Sequence, residues 1–420
     1  MSRGGLAPSP SRLATTSWVV YDLANTIFAL GVVGLYFSDW LVSEGHPDSY
    51  LAGVQVAAAI VVVFLAPWAG ARSDALGKRV PTLIVTTVLA VAATSVLAAG
   101  PVWLTLAALW VAMIAVNTGS VVYDALLVDV STESTRGRIS GLGVGVGYFG
   151  SVFGLILGLV ALDVLDWGYE GAFRLIAAGF LVFALPAFFF IRERPGVAGD
   201  PLPTIGDIVA RLVRSWRKAR GYDGVVPFLV GRFFYTDAIN TLIGGFLAIF
   251  VIDELGLDRS FFTALMGVAI GGAIIGGLGS GPFIERWGPM RVLRVVLIMW
   301  IVAIGAGIGA AVTGLTDLAW AIGPLGGLAL GATWSADRVV MIRVSPPRHL
   351  GEFYGLYATV GRFATIAGPL VWALIVDVAH LPRTVAMAAL GVFVIIGWVI
   401  TGRVDDGVRK WANQDRLVEP

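Results

Sequence analysis

The sequence contains no cysteine and only three histidines in 420 residues. The first absence removes disulfides, thiol nucleophiles and thiolate metal ligands, and leaves the redox compartment open. His46, His349 and His380 all fall in polar connections between apolar runs. A proton relay inside those runs therefore has to use carboxylates. Charge is scarce too. Asp, Glu, Lys and Arg make up 14% of the chain, against about 25% in a soluble domain. No phosphate-cradling loop, metal-ligand cluster or nucleophile elbow occurs, so neither an enzyme, nor a resident metal, nor another cofactor is expected. The net charge of +1 says nothing by itself about partners, and nucleic acid is not among those expected.

What the chain has is apolar surface: 57% hydrophobic residues and a mean hydropathy of +0.84. The apolar residues come in runs of about 20, long enough at 1.5 Å per residue to cross a hydrocarbon core ~30 Å thick. The runs are continuous rather than alternating, which selects helices over a β-barrel. Twelve spans are predicted between Thr16 and Ile400, the seventh over Val226–Ile252 and the eleventh over Phe353–Val376. The first run is too long for a signal-peptide core and lacks a small-residue cleavage site, so it reads as a retained helix.

Three patterns recur half a chain later. Asp22-x-x-Asn25-Thr26 returns as Asp237-x-x-Asn240-Thr241, an offset of 215. Gly70-x-x-x-Asp74-x-x-Gly77 returns as Gly281-x-x-x-Glu285-x-x-Gly288, an offset of 211. Gly137, Gly141 and Gly147 return as Gly351, Gly355 and Gly361, an offset of 214. A unit of six spans is thus duplicated in parallel, about an axis along the membrane normal. The expected organisation is a six-helix bundle over 1–192, a linker over 193–224, a second six-helix bundle over 225–402 and a tail over 403–420.

Charge sets the orientation. The termini, the linker and the even-numbered connections hold 23 of the 29 basic residues, while the odd connections hold Arg174, Arg259 and Arg383 beside many acids. The positive-inside rule then places both termini and the linker in the cytoplasm, with the protein in the cell (inner) membrane. Within the linker, Ile205, Ile208, Val209, Leu212, Val213 and Trp216 recur at helical spacing among Arg211, Arg214, Arg217 and Lys218. That is the pattern of an amphipathic helix on an anionic leaflet.

The stretch Gly70-Ala71-Arg72-Ser73-Asp74-Ala75-Leu76-Gly77-Lys78-Arg79 resembles the signature between helices 2 and 3 of the major facilitator superfamily. Three further segments are similar to its vacuole-effluxer-like branch, which includes an autophagy-related vacuolar amino-acid exporter. They are Ser17-Trp18-x-x-Tyr21-Asp22-x-Ala24-Asn25-x-x-Phe28, Tyr123-Asp124-Ala125-Leu126-Leu127-x-Asp129, and Phe353-Tyr354-Gly355-Leu356-Tyr357-Ala358-x-x-Gly361-Arg362 with Gly368-Pro369-Leu370. The tenth span departs: the branch has Gln-Ala-x-Ser-Arg where this chain has Trp334-Ser335-Ala336-Asp337-Arg338. The resemblance implies an all-α membrane protein of twelve helices in two parallel-repeat bundles. It also implies secondary active transport of a small-molecule solute by rocker-switch alternating access, an amino acid being the first guess. Its gate would comprise Gly70, Asp74, Gly77, Lys78 and Arg79 with Glu285 and Arg286 of the second copy; Arg338, at the repeat position of Asp124 (offset 214), is a further candidate for gate or structure.

Ionisable groups inside a bilayer are costly and are functional candidates. The spans contain Asp22, Asp124, Arg232, Asp237, Asp337, Arg338 and Arg362. Arg362 lies about ten residues into its span, ~15 Å deep, and its repeat-equivalent is the uncharged Tyr148. A guanidinium there must meet a carboxylate, from a substrate or from an acid such as Asp22 or Asp337. Arg362, Trp334, Asp337, Asn25, Asn240 and Tyr148 form the expected substrate site. Asp22, Asp124 and Asp237 are the candidates for coupling to a proton or sodium, with Asn25 and Asn240 as hydrogen-bond partners of the two repeated acids. Glycines at four-residue spacing, such as Gly150, Gly154 and Gly158, read as helix packing. Trp40, Trp68, Trp287 and Trp372 lie near span ends and read as interfacial anchors. A lipid bilayer and a monomer complete the expectation. The competing readings are a lipid-linked solute flippase, a sugar–cation symporter, and a non-transporting sensor or scaffold on the same fold.

Overall fold

The structure is a computed structural model that describes residues 11–76, 78–132, 135–193, 204–346 and 349–407. Helix 1 covers Arg12–Ser43, helix 2 Asp48–Leu76, helix 3 Val80–Ser95, helix 4 Val102–Ala125, helix 5 Arg136–Leu159 and helix 6 Gly168–Phe190. A linker helix spans Ile205–Ala219. Helix 7 covers Val225–Glu254, helix 8 Arg259–Trp287, helix 9 Pro289–Thr313 and helix 10 Ile322–Val344. The range 350–378 forms helix 11, in segments, and Arg383–Thr401 forms helix 12. Ten of the described helical segments are long and apolar enough to cross a membrane. Helix 3 is short of that length, and helix 10 carries Asp337, Arg338 and Arg343. The described residues thus give the all-α fold expected, with its twelve principal helices.

The chain divides into two compact units. The first comprises residues 1–32 and 64–204, the second residues 33–63 and 205–420. The C-terminal part of helix 1 and the first half of helix 2 therefore pack within the second unit.

Glycine sets how closely helices meet inside each unit. In the first, a Cβ on Gly154 would lie 2.8 Å from the Ile27 carbonyl oxygen, and one on Gly31 would lie 3.1 Å from Gly154 Cα. In the second, helices 8 and 10 are matched glycine to backbone. A Cβ on Gly272 would lie 3.0 Å from Leu328 N, and Gly276, Gly327 and Gly331 each lie against a facing carbonyl. These small residues permit close backbone approach, the arrangement expected where van der Waals packing holds helices together.

Two helices read as continuous are interrupted. Helix 7 kinks at Gly244–Gly245, where Gly245 adopts φ 110°, a region that only glycine enters readily. Space there is closed as well, because a Cβ on Gly245 would meet the Ser38 side chain and the Val33 carbonyl. The Gly244 carbonyl at the kink accepts from Gln55 Nε2 at 2.5 Å. Helix 11 breaks over 364–366, between Leu350–Phe363 and Ala367–Ala373. Pro369 explains the break: it offers no N–H, and its ring excludes a helical carbonyl four residues earlier, at Thr365. Proline is tolerated instead in the first turn of the new segment, where it sits.

Trp40 and Trp372 are not interfacial anchors. They are 5% and 0% exposed, and the Trp372 indole donates to Asp48 Oδ2 at 2.7 Å. Trp287 is exposed and fits the anchoring role. Asp48 also accepts from Arg383 Nε and Nη2, both at 2.8 Å, a bidentate pair buried at 1% exposure on the acid side. Around it, Arg259 pairs with Asp39, Ser49 N donates to Asp377, and Glu254 caps the start of helix 12 at Arg383 and Thr384. Asp39, Asp48 and Ser49 of the segment 33–63 thereby find partners within the second unit. Removing one member of a buried pair strands the other, at a cost of about 3–5 kcal/mol. Arg383→Met should thus lower thermal stability in detergent markedly, and Asp48→Asn in the same chain should recover most of the loss. An unchanged melting temperature for the single variant would show that the pair contributes nothing.

Candidate transport site

Two deep charges of the second unit, Arg232 and Asp337, form a closed network with Tyr357. Arg232 on helix 7 donates from Nε to Asp337 Oδ2 at 3.1 Å and from Nη1 to the Tyr357 carbonyl at 3.1 Å. Its guanidinium stacks on the Tyr357 ring, 3.7 Å from the centroid. The Tyr357 hydroxyl donates to Asp337 Oδ1 at 2.9 Å. Helices 7, 10 and 11 are tied by one ion pair in which both acid oxygens are occupied, with Arg232 5% and Asp337 0% exposed. Gly361 makes this possible, since a Cβ there would sit 2.9 Å from Arg232 Nη1. Asp337 is thus the counter-ion of Arg232, not of Arg362. Arg338, the next residue, is exposed and lies beside Tyr354 and Tyr357. Trp334 is half-buried one turn earlier.

A second constellation surrounds the break in helix 11. Asp237 Oδ2 accepts from Gly368 N at 2.8 Å, at the start of the new segment. Asn240 Nδ2 donates to the Ala364 carbonyl at 2.8 Å, at the end of the old one. The Thr365 hydroxyl donates to the Arg362 carbonyl at 2.8 Å. The three-residue spacing of Asp237 and Asn240 puts both side chains on one face of helix 7. The acid meets the partial positive charge of a helix start, and the amide meets a helix end. Asn240 therefore serves the backbone of helix 11 rather than Asp237. Arg362 stands in the last turn before the break and is half-buried.

The first unit carries the same sequence pattern in different surroundings. Helix 5 runs unbroken past Asp22, whose carboxylate fills the space a side chain on Gly147 would need. Thr26 and Thr241 donate alike to the carbonyls of Asp22 and Asp237, at 2.9 and 2.7 Å. In place of the ionic network there is an aromatic one. Trp18 stacks on Tyr123 with centroids 4.6 Å apart and donates to its carbonyl at 3.0 Å, while the Tyr21 and Thr87 hydroxyls share a 2.6 Å bond. Asp22 and Asn25 are half-buried, Asp124 exposed and Tyr148 half-buried.

The expected gate divides. Asp74 and Gly77 lie outside the described residues as far as their side chains and surroundings go. Lys78, Glu285 and Arg286 are exposed, and Gly70 packs against Val121. Arg79 is held: its Nη1 donates to Asp129 at 3.1 Å, and its backbone N–H meets Glu193. Glu193 also accepts from Val80 N at 2.6 Å and so caps helix 3. The second unit repeats the device. Asp406 accepts from Met290 N at 3.0 Å at the start of helix 9 and pairs with Arg343 at 3.7 Å. Glu193 and Asp406 are related by an offset of 213, and Asp129 and Arg343 by one of 214. Sequence reasoning missed both acids. The signal was available as an acid at one offset just beyond the sixth and twelfth spans.

Comparison with known proteins agrees with this architecture. The Major Facilitator Superfamily description matches residues 23–369 and 232–416. The chain belongs to that superfamily, whose members are transporters rather than enzymes. It is 26% identical to the uncharacterized MFS-type transporter YxiO of Bacillus subtilis, over 95% of this chain and 96% of that protein. It is 24% identical to autophagy-related protein 22-1 of Aspergillus fumigatus, over 62% of this chain and 47% of that one. This chain thus spans about half the length of that fungal relative. The match to the autophagy-related protein agrees with the resemblance to the effluxer-like branch. Among solved structures, a mutant of the nucleoside transporter NupG superposes with a TM-score of 0.71 at 12% identity, covering 94% of this chain and 100% of that one. A D-xylose-proton symporter superposes at 0.70 and 13% identity, covering 94% and 98%. These likenesses concern the fold.

The ionic network carries a clear expectation. Arg232→Met strands Asp337 and should cost about 3–5 kcal/mol, whereas Arg232→Met with Asp337→Leu removes both charges and should approach the native melting temperature. Equal destabilisation by the single and double variants would show that packing, not the charge pair, governs the site.

Proposed function

We propose that this transporter carries a small, carboxylate-bearing solute across the cell membrane, an amino acid first among the candidates, by proton-coupled alternating access. The observation that carries the substrate class is the position of Arg362. It ends the first segment of helix 11, beside a backbone interruption in an apolar span. A guanidinium presents a planar fork suited to a carboxylate. Asp22, Asp124 and Asp237 supply the carboxyls for coupling, in spans that hold no histidine. The relatives support a solute carrier without fixing the solute. One solved likeness is titled a nucleoside transporter and another a D-xylose-proton symporter.

Arg362→Lys keeps the charge and loses the fork. It should weaken binding of an amino or organic acid by about tenfold, equivalent to ~1.4 kcal/mol, and Arg362→Ala should remove it. A thermal-shift screen of amino acids, organic acids, sugars and nucleosides on the purified protein identifies the ligand first, since a native-state ligand raises apparent stability. Tight binding of a neutral sugar that ignores Arg362 would replace this reading with a sugar–cation symporter. Stabilisation only by lipid-linked solutes would replace it with a flippase.

The basic residues of the linker and termini support the orientation, with both ends in the cytoplasm. A cysteine at Ser43 should label from outside intact cells with an impermeant reagent, and one at Arg214 only after lysis; both positions are exposed. Labelling of the Arg214 position from outside would invert the orientation.

A further inference from the structure

Asp237 differs from every other deep acid of its unit. It is 0% exposed, and among the described residues no cationic side chain is paired with it. Oδ2 accepts from Gly368 N, with the Ala367 N–H beside it. Oδ1 is buried and has no hydrogen-bond partner among the described residues. An ionised carboxylate so placed pays a desolvation cost of several kcal/mol that two amide dipoles on one oxygen only partly offset. The charged groups on the elements packed against it are engaged or remote. On helix 7 and helix 10, Arg232 and Asp337 hold each other, and Arg338 is exposed. On helix 11, Tyr357 serves that same pair, Arg362 precedes the break, and Asp377 meets Ser49 at the far end. Helix 12 has no ionisable residue between Arg383 and Arg403.

We propose that Asp237 is a proton-binding site, with the proton on Oδ1, and that the break in helix 11 transmits its state to Arg362. The proposal rests on the proton-coupled reading above and assigns that role within it. Protonation forms one O–H bond on the carboxylate, and release returns the proton to water or solute; no other covalent bond changes. The ionised form grips Gly368 by a charge-assisted bond, roughly twice as strong as the neutral one that remains after protonation. Asn240, one turn along, grips the other side of the break at Ala364. Gain or loss of the proton therefore changes the hold on one segment relative to the other, and Arg362 rides on the segment held by Asn240.

The test reads the carboxyl directly and needs no known solute. Infrared spectra of the purified, lipid-reconstituted protein at neutral pH should contain the C=O stretch of a protonated buried carboxyl. Asp237→Asn, which retains an oxygen for Gly368, should abolish the band. Asp237→Glu should shift it, and serves if the asparagine variant does not fold. Asp22→Asn and Asp124→Asn should leave it in place. Absence of the band from the wild-type protein, or its survival unchanged in both Asp237 variants, overturns the proposal. Proton flux in proteoliposomes, measured separately, tests the coupling reading. A band assigned to Asp237 without solute-dependent proton flux would retire proton-coupled transport and leave the proton site standing.

Discussion

A helix in hydrocarbon must satisfy its own backbone, because no water is there to do so. The break in helix 11 violates that requirement, and the local structure of the second unit is organised around repairing it. Pro369 creates the interruption, and three backbone groups around it are answered by side chains as a result. Asp237 takes the amide of Gly368, Asn240 supplies the carbonyl of Ala364, Thr365 folds back to the carbonyl of Arg362, and the amide of Ala364 still reaches Val360 at 2.9 Å. The repeated Asp-x-x-Asn-Thr pattern acquires a physical meaning here. Its spacing matches the two ends of a broken helix, with the acid at the positive end and the amide at the negative end. The kink in helix 7 follows the same logic, with Gln55 answering the freed carbonyl of Gly244.

Duplication has left equivalent positions with unequal tasks. Tyr123 and Asp337 are related by the repeat offset of 214, as are Gly143 and Tyr357. In the first unit, the absent side chain of Gly143 makes room for the Trp18 ring: a Cβ there would lie 2.7 Å from the ring carbon Cζ3. In the second, Tyr357 supplies a ring and a hydroxyl to an Arg–Asp pair. Both solutions bring the first, fourth and fifth helices of their repeat together at a planar stack, Trp18 on Tyr123 beside Gly143 and Arg232 on Tyr357 beside Asp337. The aromatic version carries no charge into the membrane. The ionic version satisfies each charge but adds the requirement that both partners be present.

The fold was legible because its determinants are periodic: apolar run length, a parallel repeat and the asymmetry of basic residues. Burial of the individual deep acids was not. Asp237 and Asp337 look alike in sequence, yet one is bonded only to backbone N–H groups and the other to an arginine and a tyrosine. The difference depends on Gly368 and Arg232, partners 131 and 105 positions away, which local pattern does not encode. Trp372 shows the same limit, since a tryptophan near a span end is an anchor only where lipid, rather than Asp48, is its neighbour. Breaks were readable in principle. Gly368-Pro369 and Gly244-Gly245 are points where spans interrupt, and both pairs stand in the sequence as helix-breaking signals.

The remaining question is where resistance to rearrangement is concentrated. Exposed ion pairs contribute about 0–1 kcal/mol each and exchange readily with water. By that measure Lys218–Glu352 and Arg343–Asp406, whose partners are substantially exposed, are light restraints. Asp48 is different. It is 1% exposed and bonded at once to a bidentate arginine and a buried indole. Any motion that separates the segment 33–63 from the rest of the second unit must rehydrate that carboxylate and uncover Trp372 together. Both Arg383 and Asp48 are the first residues of their helices, at the ends of apolar runs. Asp337 and Arg232 lie deep in theirs. The exposed pairs are thus the light restraints, Asp48 is a heavy one at the helix ends, and Arg232 with Asp337 ties helices 7, 10 and 11 together in the middle.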